Sequence, residues 1–115
     1  PTSFQELLNI TLRFVDTDRF SVLNYAEEPR IAAVMLFSQE KSVRGEADMA
    51  RMTSELIERV IAIGGKYYLP YRPHATIQQF RRAYPRHGEF VAKKRLIDPG
   101  LMFRNGLWEN YLGKV

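Results

Sequence analysis

Apolar and polar residues alternate with period two in the first part of the chain. Ile10, Leu12 and Phe14 would fall on one face of an extended segment, with Thr11, Arg13 and Val15 on the other. This spacing predicts a strand whose Ile10 face is turned to a core. Just upstream, Ser3-Phe4-Gln5-Glu6 has the form of a capping box and predicts a short helical turn through Leu8. Asp16-Thr17-Asp18 predicts a turn, because short polar side chains hydrogen-bond back to nearby amides, and Phe20 to Tyr25 then predicts a second strand that closes a hairpin. Glu27-Glu28-Pro29 breaks that strand. From Arg30 to Ser38 the apolar run Ile31 to Phe37 is uninterrupted, as in a central strand covered on both faces.

After Gly45 the spacing becomes helical. Met49, Met52, Leu56, Val60 and Ile63 recur on one side, charged residues fill the other, and Glu55 and Arg59 are placed for an i,i+4 pair. Gly64 supplies a left-handed cap. Lys66 to Leu69 predicts a fourth strand, and Pro70 and Pro73 force an extended loop after it. Thr76-Ile77-Gln78-Gln79 is a second capping box, opening a short helix in which Ile77, Phe80 and Tyr84 share a face and which Pro85 stops. A third helix is expected from Gly88 to Leu96, burying Phe90 and Leu96 or Ile97 and exposing Lys93, Lys94 and Arg95. Asp98-Pro99-Gly100 turns the chain, and Leu107 to Leu112 predicts a last helical turn. The expected fold is therefore α+β: an antiparallel sheet of about four strands with helices packed on one face, ferredoxin-like in character.

Composition adds bounds. At 115 residues with 45% hydrophobic content, the chain is read as one domain. It contains no run of apolar residues long enough for a membrane-spanning helix, and neither a membrane span nor a secretory leader is expected. The absence of cysteine excludes disulfides and thiolate metal sites, and a cytoplasmic location is expected. Opening on Pro1 rather than Met marks the chain as a candidate processed or excised piece. Residues 1–65 carry 7 basic and 10 acidic side chains, whereas residues 66–95 carry 8 basic and one acidic, Glu89. Such a local basic block could face nucleic-acid phosphates, an anionic cofactor or an acidic neighbouring domain. No nucleic-acid motif accompanies it, and no nucleic-acid partner is expected.

Candidate chemistry is sparse. There is no Gly-rich phosphate loop and no serine nucleophile elbow, and His74 and His87 are too few for a histidine metal site. No residue stands out as catalytic. His74, between prolines and aromatics, fits a loop hydrogen bond better than a general base lacking an identified partner. His87 is expected to face solvent. On the strand pattern alone Arg13 belongs to an exposed outer face. Tyr67, Tyr68 and Tyr71 could line a ligand site or simply pack.

Gly64-Gly65, Phe80-x-x-x-Tyr84-Pro85, Phe90, Asp98-Pro99 and Phe103-x-Asn105, in this order and spacing, resemble the C-terminal tail of FAD-linked oxidases of the vanillyl-alcohol oxidase type, particularly aldonolactone and alditol oxidases. The resemblance implies the C-terminal substrate-binding (cap) part of a longer flavoprotein. An N-terminal FAD-binding domain would be its partner, FAD the cofactor of the full-length protein, and a small-molecule alcohol the substrate. The chain alone would be inactive. Those oxidases carry a Pro-His-Trp-x-Lys segment after the Gly-Gly pair, and an ungapped match puts Tyr68 at its His and Tyr71 at its Lys. A local match of Arg72-Pro73-His74 to the same segment needs a six-residue shift and adds His74 as a further flavin-proximal candidate. Arg13 matches the strand arginine that in alditol oxidases reaches the substrate, with Thr11 in place of a glutamate. A fixed cation there would stabilise anionic reduced flavin. The competing expectation is a stand-alone α+β interaction module that forms a homodimer through an exposed sheet face.

Overall fold

The computed structural model describes residues 3–114. Two strands, β1 (Glu6–Val15) and β2 (Arg30–Ser38), are followed by four helices: α1 (Val43–Ala62), α2 (Ile77–Ala83), α3 (His87–Ile97) and α4 (Gly106–Asn110). A 3-10 turn over Leu112–Lys114 ends the described chain. The class is a small α+β domain, but among the described residues the sheet has two antiparallel strands rather than the expected four.

Strand β1 pairs with β2 from Val15↔Arg30 to Glu6↔Ser38, with a register shift between Leu7 and Asn9. The hairpin thus skips the segment expected to be its second strand. Residues 20–25 are held instead in a loop built on Asp18, whose carboxylate Oδ1 accepts from the Phe20 and Ser21 amides at 2.9 and 3.0 Å. The Asn24 side chain donates to the Asp18 carbonyl at 2.9 Å, and Asn24 is itself buried. With these backbone and side-chain groups committed locally, no strand ladder forms. The expected helical turn at Ser3 is also absent. Ser3 Oγ accepts from the Gln5 amide at 3.1 Å and donates to Asp48 Oδ2 at 2.6 Å, and the chain enters β1 at Glu6.

The Lys66–Leu69 strand does not form either, because its groups are used in tertiary contacts. The Lys66 ammonium donates to the Asn24 carbonyl and side-chain oxygen at 3.0 and 2.8 Å, and the Tyr67 carbonyl accepts from the Tyr84 hydroxyl.

The hydrophobic core sits among the helices, away from the sheet. Phe80 and Leu112 are its fully buried centre, surrounded by Ile57, Tyr84, Trp108 and Tyr111. The Phe80 ring stacks on both Tyr84 and Tyr111, with centroids 5.9 and 5.1 Å apart. The face of β1 expected to be core is instead bare: Leu12 is 68% and Phe14 70% exposed, and Ile31, opposite Phe14, and Met35, opposite Ile10, are exposed as well. Among the described residues strand β2 is not covered on both faces as expected, since Ala32 and Val34 are half-buried but Ile31, Met35 and Leu36 are exposed. Period two identifies an apolar face but not what covers it, and this segment supplies no cover.

The helices follow the sequence more closely. Ser42 caps α1 by accepting from the Gly45 amide at 2.9 Å, so the helix starts ahead of Gly45. Gly45 packs against the preceding loop so closely that a Cβ would lie 2.1 Å from the Glu40 carbonyl oxygen. Gly64 ends α1 with φ +81°, where a Cβ would be strained. Glu55 pairs with Arg51 at 3.0 Å rather than with Arg59. The capping box of α2 is complete, with Thr76 Oγ1 accepting from the Gln79 amide and Gln79 reaching back to the Thr76 amide. In α3 the buried residue is Val91, with Phe90 half-buried, whereas Leu96 and Ile97 are exposed, contrary to expectation. They lie in the last turn, before Asp98 turns the chain.

Candidate functional site

The loop between the Gly64 turn and α2 has a rigid beginning and end. Lys66 is fixed to Asn24, the Tyr67 carbonyl to Tyr84, and the Ala75 carbonyl accepts from the Tyr111 hydroxyl at 2.8 Å. Between these anchors the chain turns at Leu69–Pro70 and bends at Tyr71 and Pro73 rather than running extended as expected, and Tyr68 and Tyr71 project from it. They are 48% and 61% exposed, their rings meeting edge to face with centroids 5.1 Å apart. Tyr68 makes the same kind of contact with Tyr25, at 5.6 Å. The result is a ledge of three tyrosines. Tyr25 was missed in the sequence because it lay in a segment read as a strand. Burial, with smaller contributions from Tyr71 and Tyr68, raises the Tyr25 hydroxyl above the ordinary tyrosine range, so it stays protonated and able to donate.

Beside the ledge, a shallow cleft of about 370 Å³ runs between Pro70, Tyr71 and Pro73 on one side and Asn105, Leu107 and Asn110 on the other. No charged side chain lines it. Asn105 caps α4 by accepting from the Trp108 amide at 3.0 Å. Such a surface can cover an apolar or uncharged ring and offer it hydroxyl and carboxamide groups. It has no cradle for a pyrophosphate.

His74 is not part of the ledge. Its side chain is 10% exposed and its Nε2 lies 3.2 Å from Glu46 Oε1. The same carboxylate pairs with Arg72 and accepts from Gln39 Nε2 at 2.9 Å, while Arg72 Nη1 donates to Gln39 Oε1 at 2.6 Å. Hydrogen bonds from Gln39, Arg72 and His74 hold the Glu46 carboxyl down at about 2, against an ordinary 4.5. His74 therefore makes the loop contact expected of it, to a partner that lies 28 positions away. His87 is half-buried rather than solvent-facing: its Nδ1 is 2.7 Å from the Tyr84 carbonyl, and its ring lies against Phe80. Arg13 stands exposed on β1 opposite Ala32, and among the described residues no hydrogen bond or ion pair ties it to the tyrosines.

The remaining residues of the sequence signature have structural work. The Asp98 carboxylate accepts from the Met102 and Phe103 amides, each at 3.0 Å, and pairs with Lys94, closing the turn in which Leu101 takes φ +50°. Tyr84 ties α2 to the tyrosine loop. The basic block is largely matched by acidic neighbours: Lys66 with Glu27, Arg82 with Glu58, and Arg86 and Lys93 with Glu89. Among the described residues no group of acidic or histidine side chains is arranged to hold a metal ion, and no helix is long and apolar enough to cross a membrane. No protein-family model matches this chain, and no solved structure does.

Proposed function

We propose that this chain is the C-terminal substrate-binding (cap) portion of a cytoplasmic FAD-dependent oxidoreductase that acts on an alcohol carbon. In this reading an N-terminal domain binds the FAD, and the present chain is inactive without it. The observation that carries the reading is the uncovered two-stranded sheet. Each strand has an unpaired edge, and Ile10, Leu12, Phe14, Ile31 and Met35 form an exposed apolar face. A surface of that kind is covered in a stable protein, and further strands and helices of one larger substrate domain would cover it. The flavin itself rests on the resemblance of the Gly64 to Asn105 signature.

The ledge and cleft suit the task. Bound FAD would supply the hydride acceptor; Tyr68 and Tyr71 would cover its ring and offer hydroxyls to the alcohol oxygen. Arg13, exposed on the sheet, would supply the fixed cation once the sheet is completed. The chain should therefore be expressed together with its upstream reading frame and examined for visible flavin absorption. A product that purifies yellow, or takes up added FAD stoichiometrically, supports the proposal; a folded, colourless product that takes up no FAD refutes it.

The same apolar face favours a second reading, a homodimeric interaction module without catalytic activity. A discrete dimer of the full-length product that needs Leu12 and Phe14 and binds no flavin would support that reading instead.

A further inference from the structure

We propose that Glu46 is the positioning residue of the tyrosine ledge, an inference that rests on the flavoprotein reading for its catalytic consequence. The ledge is exposed, and its own contacts are ring edges. The backbone bond within it, from the Tyr71 amide to the Tyr68 carbonyl, is 3.5 Å long. What connects its outer half to the folded body is the pair of residues just after Tyr71. Arg72 and His74 both reach the Glu46 carboxylate, one to each oxygen.

Glu46 can hold them because of where α1 begins. Ser42 starts the helix, and Gly45 lets its first turn press against the Glu40 carbonyl, which sets Glu46 between the end of β2 and the proline loop. Gln39 fills the third acceptor direction and also bonds Arg72, so one carboxylate joins three segments of chain. Bonds to an ionised acceptor are stronger than neutral ones, and a network of them fixes orientation as well as distance. Glu46 is itself exposed and outside the hydrophobic core. Its loss should therefore loosen the ledge without unfolding the domain.

The test is Glu46→Gln, with Glu46→Asp as the conservative variant, read in two ways. By amide hydrogen exchange on the 115-residue chain, the Tyr71 and His74 amides, which donate to the Tyr68 and Arg72 carbonyls, should exchange about tenfold faster in Glu46→Gln. The amides of Phe80, Val91 and Trp108 should keep their protection, and Glu46→Asp should recover part of the loss. In the full-length flavoprotein, the same substitution should raise KM for the alcohol several-fold and leave kcat nearly unchanged, as expected when only binding of the ground state is lost. Unchanged loop exchange, or equal acceleration of loop and core, overturns the assignment. A full-length protein that binds no flavin removes the catalytic consequence alone, because the exchange experiment still decides whether Glu46 holds the loop.

Discussion

Two phenylalanines with the same side chain should respond in opposite ways to truncation. Phe80 is 0% and Phe14 is 70% exposed. A fully buried aromatic ring removes roughly 200 Å² from water, about 5 kcal/mol at 25 cal/mol per Å², and measured Phe→Ala losses run at about 3–5 kcal/mol. Phe80→Ala should fall in that range, because it also removes the stacking on Tyr84 and Tyr111. For Phe14 the buried share is less than a third, giving an upper bound of about 1.5 kcal/mol, of which alanine retains part. Phe14→Ala should therefore cost about 1 kcal/mol or less. Equilibrium urea unfolding followed by fluorescence measures both, since the single tryptophan, Trp108, lies in the same core cluster as Phe80. The comparison belongs at low protein concentration, where self-association of the hairpin is weakest. A Phe14→Ala loss as large as that of Phe80→Ala would refute the placement of the core among the helices, and would mean that the hairpin is covered in the isolated chain.

Acid should unfold the domain through its paired carboxylates. Glu46 and Asp98 are both held at about 2, Glu46 chiefly by Gln39 and Asp98 chiefly by Lys94, against ordinary values of 4.5 and 3.8. A carboxyl lowered on folding stabilises fully above its unfolded value and ceases to do so as it is protonated. Urea midpoints should accordingly hold steady from neutrality to about pH 5 and fall between about pH 4 and pH 2 through Asp98, whereas protonation of Glu46 should loosen its loop with little effect on the midpoint; a flat profile in that window would exclude this linkage. Gln79 is a further test. It is buried, its Nε2 donates to the Ser54 carbonyl at 3.0 Å and to Glu58 at 3.1 Å, and its Oε1 accepts from the Thr76 amide at 3.0 Å. Gln79→Leu leaves those partners unsatisfied and should cost about 1–3 kcal/mol in the same unfolding assay, whereas a neutral result would show that water replaces the amide.

The helical half was legible because its signals are local. The spacing of Met49, Met52, Leu56 and Val60, the Thr76–Gln79 box and the Gly64 stop each act within a few residues and are found in place, although Ile63, read into the same stripe, is exposed and Ile57 is buried instead. The strands at Phe20–Tyr25 and Lys66–Leu69 were misread because short apolar runs do not reveal whether their backbone groups will pair. Asp18 and Asn24 claimed one, and the Asn24 and Tyr84 contacts the other. Leu96 or Ile97 was expected inside on periodicity alone, yet both are exposed.

For the candidate site, Tyr68 and Tyr71 were marked in the sequence by position, and the structure brings them together as expected of neighbours in a short loop. Tyr25 and Glu46 were not visible, since their links to the loop span dozens of residues. The sequence alone determined the helices, the caps at Gly64 and Thr76 and the apolar stripe of β1, because propensity, capping and periodicity are near-neighbour properties; the Ser42 and Asn105 caps went unread, and the Ser3 box opens no helix. Only the tertiary structure decided which apolar face is core. Burial depends on what packs opposite, and the described residues leave the Ile10, Leu12 and Phe14 face of the hairpin exposed.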